Sequence, residues 1–332
     1  MDNQKTIKTS LLCLAAAVAM AAVMFFVPSA LPEKRNEADT FRTETALSRT
    51  AEIICGDNIA TAFIYKSRDD GAVVVTCWHT VQGHADTAQF RFYGKEEFVE
   101  CTALIGYDPG YDIAIYLVPC DEQFDEMSVR DDTTTGEEVF LLGNSDGDGI
   151  ALFSGKVSVP DDIVLCRDDT PASHLDNKNL PSLRVTAPIN SGSSGAPVFD
   201  SHGRLAGMGF YQFFGSAERP VYDMNYAVPA AIIKSVVDVC EIQSGRVQRS
   251  GVTLRNYVAS DDEMVTRRIY EVQFDGLWQD TVFRKSGGSI YAHRSDGVFK
   301  VASLAGKKID TIAQLLAAAI DYEYRGGKLV LE

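Results

Sequence analysis

A serine within a run of small residues is the feature that most constrains this chain. Residues 190–199 are Asn-Ser-Gly-Ser-Ser-Gly-Ala-Pro-Val-Phe, so Ser194 lies in a turn between two apolar segments. Glycine-rich turns let backbone N–H groups converge on one point, because no bulky side chain separates them. A serine hydroxyl needs a base and such donors before it becomes an effective nucleophile. The run alone predicts either a nucleophile turn or an ordinary tight loop.

Two upstream segments supply the partners that a nucleophilic serine needs. A β-branched run over 72–77 predicts a buried strand and places His79 just past its end, where a base is useful. Asp112 lies between a Tyr-Asp-Pro-Gly turn and an apolar strand over 113–117. A carboxylate there would accept the histidine Nδ1–H and stabilise the imidazolium. Asp108 is the competing carboxylate, but no apolar strand follows it directly, and we expect Asp112 to be the partner.

The order His, Asp, Ser in these settings resembles the trypsin-like serine proteases of the chymotrypsin fold, and within them the HtrA/Deg family. The resemblance covers about residues 50–240 and includes the segments 136–144, 154–158, 203–208 and 225–229. It implies a mainly β protease domain with a double β-barrel. By this resemblance His79 is the general base, Asp112 its orienting partner and Ser194 the nucleophile. The resemblance implies that Gly192 and Ser194 supply oxyanion-hole N–H groups, and the turn of small residues makes Ser193 a third candidate donor.

Two positions depart from the family's Gly-Asn-Ser-Gly-Gly-Pro pattern. Ser193 replaces the usual asparagine and is also small and polar. Ala196 adds a methyl group where glycine is usual, which is harmless only if the backbone φ there is negative. These changes motivate an alternative, a non-catalytic or latent protein that keeps the protease fold and acts by binding or as a scaffold. The favoured interpretation is a serine endopeptidase that works through an acyl-enzyme intermediate.

The residues expected around the substrate side chain carry no charge. In trypsin-like enzymes a charge six residues before the nucleophile selects basic side chains, and Pro188 holds that position here. The other candidate pocket residues are Met208, Gly209, Phe210 and Asn225. We therefore expect protein or peptide substrates, misfolded or regulatory, to be cleaved after small or medium apolar residues, as the resemblance also implies.

Composition disfavours several other classes of function. The 332 residues carry a formal net charge of −15, which disfavours nucleic acid binding because a phosphate backbone needs a basic face. The sequence has no glycine-rich phosphate loop and no Cys-x-x-Cys pair, and its histidines lack metal-ligand spacing. We expect no cofactor and no metal. Six cysteines outside the apolar N-terminal run allow either disulfides or buried free thiols.

The N-terminus has the pattern of a targeting element. Two lysines precede an uninterrupted apolar run over 11–27. At about 1.5 Å per residue this run covers roughly 26 Å, near the lower limit for spanning a bilayer. We expect 1–8 to be a short cytoplasmic segment and 9–29 an uncleaved membrane anchor, with a cleaved signal as the alternative. Either one places the protease on the exported side of the cell membrane, or secretes it.

The rest of the sequence predicts a linker and two domains. Residues 30–48 contain proline and many charges and indicate a linker. Short strands over 49–245 make up the predicted protease domain, which a helix over 230–239 closes. Residues 246–332 end in a turn, strand, helix and strand, which resembles the second half of a PDZ domain. The alternative is a small α+β domain that only packs on the protease. A homotrimer is expected from the family resemblance alone.

Overall fold

The computed structural model of the protein describes residues 41–101, 103–166, 175, 178–214, 220–260 and 266–332. The segment 9–29, where we expect a membrane anchor, lies outside these residues. Among the helices of the described part, none is long and apolar enough to cross a membrane. The chain from Phe41 to Glu332 makes up one compact unit, and the boundary expected between 245 and 246 falls inside it.

The first sheet contains eight strands and carries the candidate base and its carboxylate partner. Its strands are β1 (Thr50–Cys55), β2 (Asn58–Arg68), β3 (Gly71–Cys77), β4 (Gln89–Phe92), β5 (Val99–Glu100), β6 (Leu104–Asp108), β7 (Ile113–Val118) and β14 (Gly245–Arg246). They lie in the order β14, β6, β7, β3, β2, β1, β4, β5. The β-branched run of the sequence forms β3, which is buried along its whole length between β2 and β7.

The two ends of this sheet approach each other, but among the described residues no strand pairing joins β5 to β6. The N–H of Cys101, after β5, donates to the carbonyl of Ala88, whereas the carbonyl of Ala103 accepts the N–H of Leu117 in β7. The chain thus crosses from the β5 edge to the β6 side within two residues. The first half is a curled sheet and not the fully closed barrel expected, because β5 has only two residues with which to pair. Its inner core includes Ile53, Ile64, Val74, Phe90 and Tyr116.

The second sheet closes into a barrel. Its strands are β8 (Glu138–Gly143), β9 (Ala151–Leu165), β10 (Asn179–Val185), β11 (Pro197–Asp200), β12 (Leu205–Phe214) and β13 (Pro220–Pro229). They close in the order β10, β13, β12, β11, β8, β9. Small and branched side chains fill its interior, among them Val139, Leu141, Val185, Ala187, Val198 and Ala227. The expected mainly β, chymotrypsin-like architecture is confirmed.

The described part of the chain also contains α-helices and a third sheet. The helices are α1 (Thr43–Ser48), α2 (Trp78–Val81), α3 (Ala230–Ile242) and α4 (Ile312–Arg325). The third sheet contains β15 (Val252–Ser260), β16 (Thr266–Phe274), β17 (Val282–Ser286), β18 (Ser289–Arg294), β19 (Gly297–Leu304), β20 (Lys307–Lys308) and β21 (Leu329–Leu331). These strands pair in sequence order from β15 to β20, and β21 pairs with β19. The turn, strand, helix and strand predicted at the C-terminus are therefore present.

The third sheet is joined to the half of the molecule that contains the first two sheets, and α4 makes the connection. α3 follows the second barrel, as the sequence predicts, and α4 packs along it. The carboxylate of Asp161 in β9 accepts the N–H groups of Ile312 and Ala313 at the start of α4, and it pairs with Lys285 of β17 at 2.8 Å. α4 buries an apolar face that includes Ile312, Leu315, Leu316 and Ile320. This helix thus lies in the core shared by the two halves.

The end of the predicted linker belongs to the folded unit. α1 occupies 43–48, within the segment 30–48. Phe41 stacks on Phe140 of β8 with ring centroids 4.4 Å apart, and Ala46 is buried. Aromatic stacking and burial hold this segment to the second sheet. The charged composition of the segment did not indicate this packing.

Among the described cysteines, Cys55, Cys77, Cys101, Cys120 and Cys240 are free thiols. Cys101 and Cys120 flank the β6–β7 hairpin, where a bridge was one alternative. The thiol of Cys101 instead donates to the carbonyl of Leu117 at 3.1 Å. Of the open alternatives, these five cysteines have the free-thiol one.

Candidate active site

His79 lies at the junction of β3 and α2. β3 ends at Cys77, and α2 begins one residue before the histidine. The indole of Trp78 stacks on the ring of Tyr107 in β6, with centroids 4.3 Å apart, and this holds the start of α2 against the first sheet. The side chain of His79 keeps 26% of its surface exposed.

Asp112 is fully buried and faces the histidine. Its Oδ2 lies 2.7 Å from Nδ1 of His79, and its Oδ1 accepts the backbone N–H of the same residue at 2.8 Å. Its φ of 59° lies in the left-handed region, which costs a non-glycine residue about 1–3 kcal/mol. The carbonyl of Asp112 accepts the N–H of Trp78 at 3.1 Å, which helps to hold that conformation. Two bonds from one carboxylate fix the tautomer and the orientation of the imidazole.

The hydroxyl of Ser194 completes the hydrogen-bond chain. Its Oγ lies 2.9 Å from Nε2 of His79. Gly195 has a φ of 87°, and a Cβ at that position would lie 2.0 Å from the carbonyl oxygen of Thr61. Only glycine can make this turn against β2. The turn brings Ser194 of the second sheet to His79 of the first sheet. The three residues predicted as a triad are therefore in contact.

The backbone around Gly192 has the form of an oxyanion hole. The carbonyl of Ser191 accepts the N–H of Asp146 at 2.7 Å. A trans peptide directs its N–H opposite to its carbonyl, so the N–H of Gly192 faces away from Asp146. Within the described part of the chain, neither this N–H nor that of Ser194 has a hydrogen-bond acceptor. Two such donors beside a nucleophile are what a developing oxyanion requires.

Ser193 differs from its predicted role. Its N–H donates to the carbonyl of Asn190 at 3.0 Å, so it is not available as a third donor. Its hydroxyl lies 3.0 Å from that of Ser145, and the residue is fully buried. In so tight a turn, the N–H groups of successive residues point in different directions. Ser193 therefore holds the shape of the turn, while its two neighbours keep their N–H groups unpaired.

Thr61 of β2 connects these parts, and sequence reasoning missed it. Its hydroxyl donates to the carbonyl of Gly192 at 2.8 Å and accepts the N–H of Asn144 at 2.9 Å. Its backbone N–H donates to the carbonyl of Ser194 at 2.9 Å. One fully buried threonine thus fixes both sides of the nucleophile turn. A threonine within an apolar strand carries no motif, so no signal in the sequence would have found it.

Ala196 satisfies the condition set for it by the sequence. Its φ is not among the positive values of the chain, and its methyl group is fully buried. Its carbonyl accepts the N–H of Gly209 at 2.8 Å. The extra methyl group is therefore accommodated without distorting the turn.

Two of the residues expected in the specificity pocket do not line an open one. Met208 is fully buried and Phe210 is 3% exposed, and both belong to the large core between the sheets. The two residues are two positions apart in β12, and both of their side chains face this core. Their roles are thus in packing.

The other expected pocket residues support the nucleophile segment. The carbonyl of Gly209 accepts the N–H of Gly195 at 2.8 Å. The side-chain oxygen of buried Asn225 accepts the N–H of Ile189 at 3.3 Å. Pro188, just before, is half-buried. These residues surround the start of the serine turn and bring no charge to it.

One group of potential metal ligands occurs among the described residues, namely Cys77, His79 and Asp112. The carboxylate and Nδ1 are already joined by the 2.7 Å hydrogen bond. Burial, with Asp112 beside it, raises the pKa of the Cys77 thiol well above its ordinary value, so the sulfur keeps its proton. A metal ion would need a thiolate and an available ring nitrogen. The geometry thus fits a Ser-His-Asp triad better than a metal centre.

Comparisons with known proteins find similarity to serine proteases. A family model described as a trypsin-like peptidase domain matches residues 60–208. The serine protease Do-like HtrB of Bacillus subtilis is 28% identical over 188 residues, which are 56% of this chain and 39% of that protein. A probable periplasmic serine endoprotease, DegP-like, of Marinomonas is 26% identical over 53% of this chain and 34% of its own length. The chain thus spans less than half of either relative.

A solved structure adds a further similarity. The inactive form of the Rv3671c protease, from M. tuberculosis, has a TM-score of 0.48 at 19% identity. That match covers 59% of this chain and 91% of the other.

Proposed function

Because residues 60–208 form a trypsin-like peptidase domain of the HtrA type, we propose that the protein is a serine endopeptidase. One observation carries this proposal. A continuous chain of hydrogen bonds runs from Asp112 through His79 to Ser194, with distances of 2.7 Å and 2.9 Å. The unpaired N–H groups of Gly192 and Ser194 lie in the same turn. Nucleophile, base, orienting carboxylate and oxyanion donors can all act on one carbonyl group.

The proposed reaction proceeds through an acyl-enzyme. Oγ of Ser194 attacks the carbonyl carbon of the scissile peptide bond, and Nε2 of His79 takes its proton. The carboxylate of Asp112 stabilises the imidazolium, while the N–H groups of the turn stabilise the oxyanion. His79 then protonates the leaving amine. A water molecule repeats the sequence on the acyl-enzyme and releases the new carboxylate.

An extended peptide has a place to bind beside the nucleophile. β11 pairs with β12 as far as Met208, and the N–H and carbonyl of Gly209 still bond to Ala196 and Gly195. Beyond that point, among the described residues, β12 has a strand partner on its β13 side alone. A peptide can add to such an edge through main-chain hydrogen bonds. This edge supports the proposal that the substrates are unfolded or extended protein segments.

We also propose that the residue before the cleaved bond is small or medium-sized and apolar. The residues around the start of the serine turn, Pro188, Ile189 and Asn225, are uncharged. A panel of peptides that differ at this one position tests the preference. Faster cleavage after Val or Ala is the expected result, and a strong preference for Lys, Arg or Glu contradicts it.

The cellular role is part of the same proposal. The apolar run over 11–27 and the similarity to a protein named as periplasmic support action outside the cytoplasm, on misfolded exported proteins or on one membrane-linked partner. Anchoring through 9–29 rests on the apolar run, whereas a homotrimer and a PDZ-like character of 246–332 rest on resemblance. The burial of α4 between the halves favours a packing role for that region over peptide capture.

A fluorophosphonate probe tests the proposed function directly. We would treat the full-length protein and its Ser194→Ala variant with the probe and locate the adduct by mass spectrometry. Labelling at Ser194 in the parent, with none in the variant, is the expected outcome. A folded parent that stays unlabelled would mean a latent or non-catalytic protein.

A further inference from the structure

The segment after α3 returns to the first sheet beside the strand that leads to Asp112. β14 pairs in parallel with β6, with Gly245 opposite Gly106. The N–H of Val247 continues this pairing by donating to the carbonyl of Tyr107 at 2.9 Å. The connection to the third sheet is thus built into the sheet that carries the catalytic histidine and carboxylate.

Arg249 ends this segment against the turn that precedes the catalytic carboxylate. Its Nε donates to Oδ2 of Asp108 at 2.7 Å, and its Nη2 donates to Oδ1 at 3.3 Å. Its guanidinium carbon lies 3.9 Å from the ring centroid of Tyr111. The side chain of Arg249 is 13% exposed and that of Asp108 3%, so the pair is largely desolvated. A Cβ on Gly110 would lie 2.0 Å from Nη2, so the turn closes directly on the guanidinium.

Asp108, the carboxylate that competed with Asp112 in the sequence, shapes this turn instead of facing His79. Its Oδ1 accepts the N–H groups of Gly110 at 2.7 Å and Tyr111 at 3.2 Å. The next residue is Asp112, with its left-handed φ of 59°. A residue in such a conformation keeps it only while its surroundings impose it. The contacts from Arg249 are part of those surroundings.

We propose that Arg249 is a positioning residue, which holds the 108–112 turn so that the Asp112 carboxylate remains directed at Nδ1 of His79. The inference rests on the proposed endopeptidase function. With this role, the segment that connects the protease half to the third sheet contributes to catalysis, although no residue of the segment needs to contact the substrate. The bidentate contact and the stacking on Tyr111 together require a planar guanidinium, which a lysine cannot replace fully.

Three full-length variants test this role. Arg249→Met removes the bidentate ion pair with Asp108. Arg249→Lys keeps the positive charge but lacks the planar guanidinium that makes two hydrogen bonds. Lys285→Met is the matched control, because Lys285 also bridges the two halves, through its 2.8 Å pair with Asp161, without contacting the 108–112 turn. Each is measured for thermal unfolding, for the rate of fluorophosphonate labelling at Ser194, and for the downfield proton resonance of the His79 Nδ1–H bonded to a carboxylate.

A positioning role predicts a specific pattern. Labelling of folded Arg249→Met falls about 10- to 100-fold, as expected when a catalytic group moves by about 1 Å, and the downfield resonance is lost or shifted. Arg249→Lys retains part of the labelling rate and part of the downfield resonance. Lys285→Met is labelled at a rate within about twofold of that of the parent, even where its stability falls. The proposal is overturned if folded Arg249→Met labels at the parent rate, or if its labelling falls while the resonance is unchanged.

Failure of the proposed function gives a different result. A parent that is never labelled contradicts the endopeptidase proposal, but its downfield resonance still reports the His79–Asp112 bond. Loss of that resonance in folded Arg249→Met or Arg249→Lys, with retention in Lys285→Met, then supports the positioning role on its own. Retention in every folded variant overturns it.

Discussion

Gly192 has two separate reasons to be glycine. Its φ is 82°, and a Cβ there would lie 2.1 Å from the carbonyl oxygen of Asn144. We predict that Gly192→Ala displaces the amide that serves as an oxyanion donor and lowers the rate of fluorophosphonate labelling by about 10²- to 10³-fold, the usual cost of losing one such donor. Labelling kinetics on the folded variant measure this loss.

Gly203 is the matched control, because it shares the positive φ of Gly192 but not the close contact. Its φ of 77° is nearly the same, but a Cβ there would meet no atom within 4 Å. Gly203→Ala should therefore lower the free energy of unfolding by about 1–2 kcal/mol and leave the labelling rate unchanged. Equal losses of labelling in the two variants would mean that backbone strain, and not the contact with Asn144, decides the activity.

The same scale shows what the sequence can and cannot specify in this site. His79, Asp112 and Ser194 were predictable because each ends a recognisable strand or turn. The pairing of Ser193 and the role of Thr61 were not, because both depend on the direction of single backbone N–H groups after the two sheets have packed. A pattern of residue types fixes which groups are present, while the hydrogen-bond partner of each amide is set by tertiary structure.

At the scale of elements, Asp161 connects the second barrel to α4. Its carboxylate accepts the N–H groups of Ile312 and Ala313 and pairs with Lys285, and the residue is 3% exposed. Asp161→Ala would leave two helix amides and a partly buried ammonium without their partner. We predict a fall of about 2–4 kcal/mol in the free energy of unfolding, measured as a lower urea midpoint with an unchanged slope.

An exposed carboxylate of the third sheet provides the comparison. The side chain of Asp296 is 60% exposed, and its Oδ1 lies 3.5 Å from Nε of Arg294. Asp296→Ala should change the unfolding free energy by less than about 0.5 kcal/mol, since exposed pairs contribute little. A similar small change in Asp161→Ala would show that α4 does not depend on its contact with β9.

Elements with a strong local signal were predictable, and those held by distant contacts were not. β3 and α3 follow from apolar runs of the right length and spacing. α1 has six residues and depends on the stacking of Phe41 against Phe140, so its charged sequence predicted a linker. β14 has two residues and forms only because α3 returns the chain beside β6. Pairings of this kind have no local pattern to detect.

At the scale of the whole molecule, the core runs without interruption from the protease half into the third sheet. The largest cluster of buried side chains includes Phe63 of β2, Ile233 of α3 and Leu316 of α4. Arg249 and Asp161 add polar contacts across the same junction. The sequence suggested a boundary between 245 and 246 because the resemblance to a protease domain gives way there to a PDZ-like pattern. The contacts that join the halves instead come from residues as much as 183 apart in the chain, as in the bond from Nε2 of Gln314 to the carbonyl of Asp131.

This continuity predicts that the two halves unfold together, and the chain provides a reporter in each. Of its two tryptophans, Trp78 stacks on Tyr107 next to His79, whereas Trp278 packs against Phe283 and against Tyr322 of α4. Trp278→Phe and Trp78→Phe each leave one fluorophore. We expect the urea transition of each variant, followed by fluorescence, to coincide with its own transition followed by circular dichroism. A fluorescence midpoint that departs from the circular dichroism midpoint in either variant would mean that the third sheet is a separate domain, and that its contacts at Arg249 and Asp161 do not bind the halves into one cooperative structure.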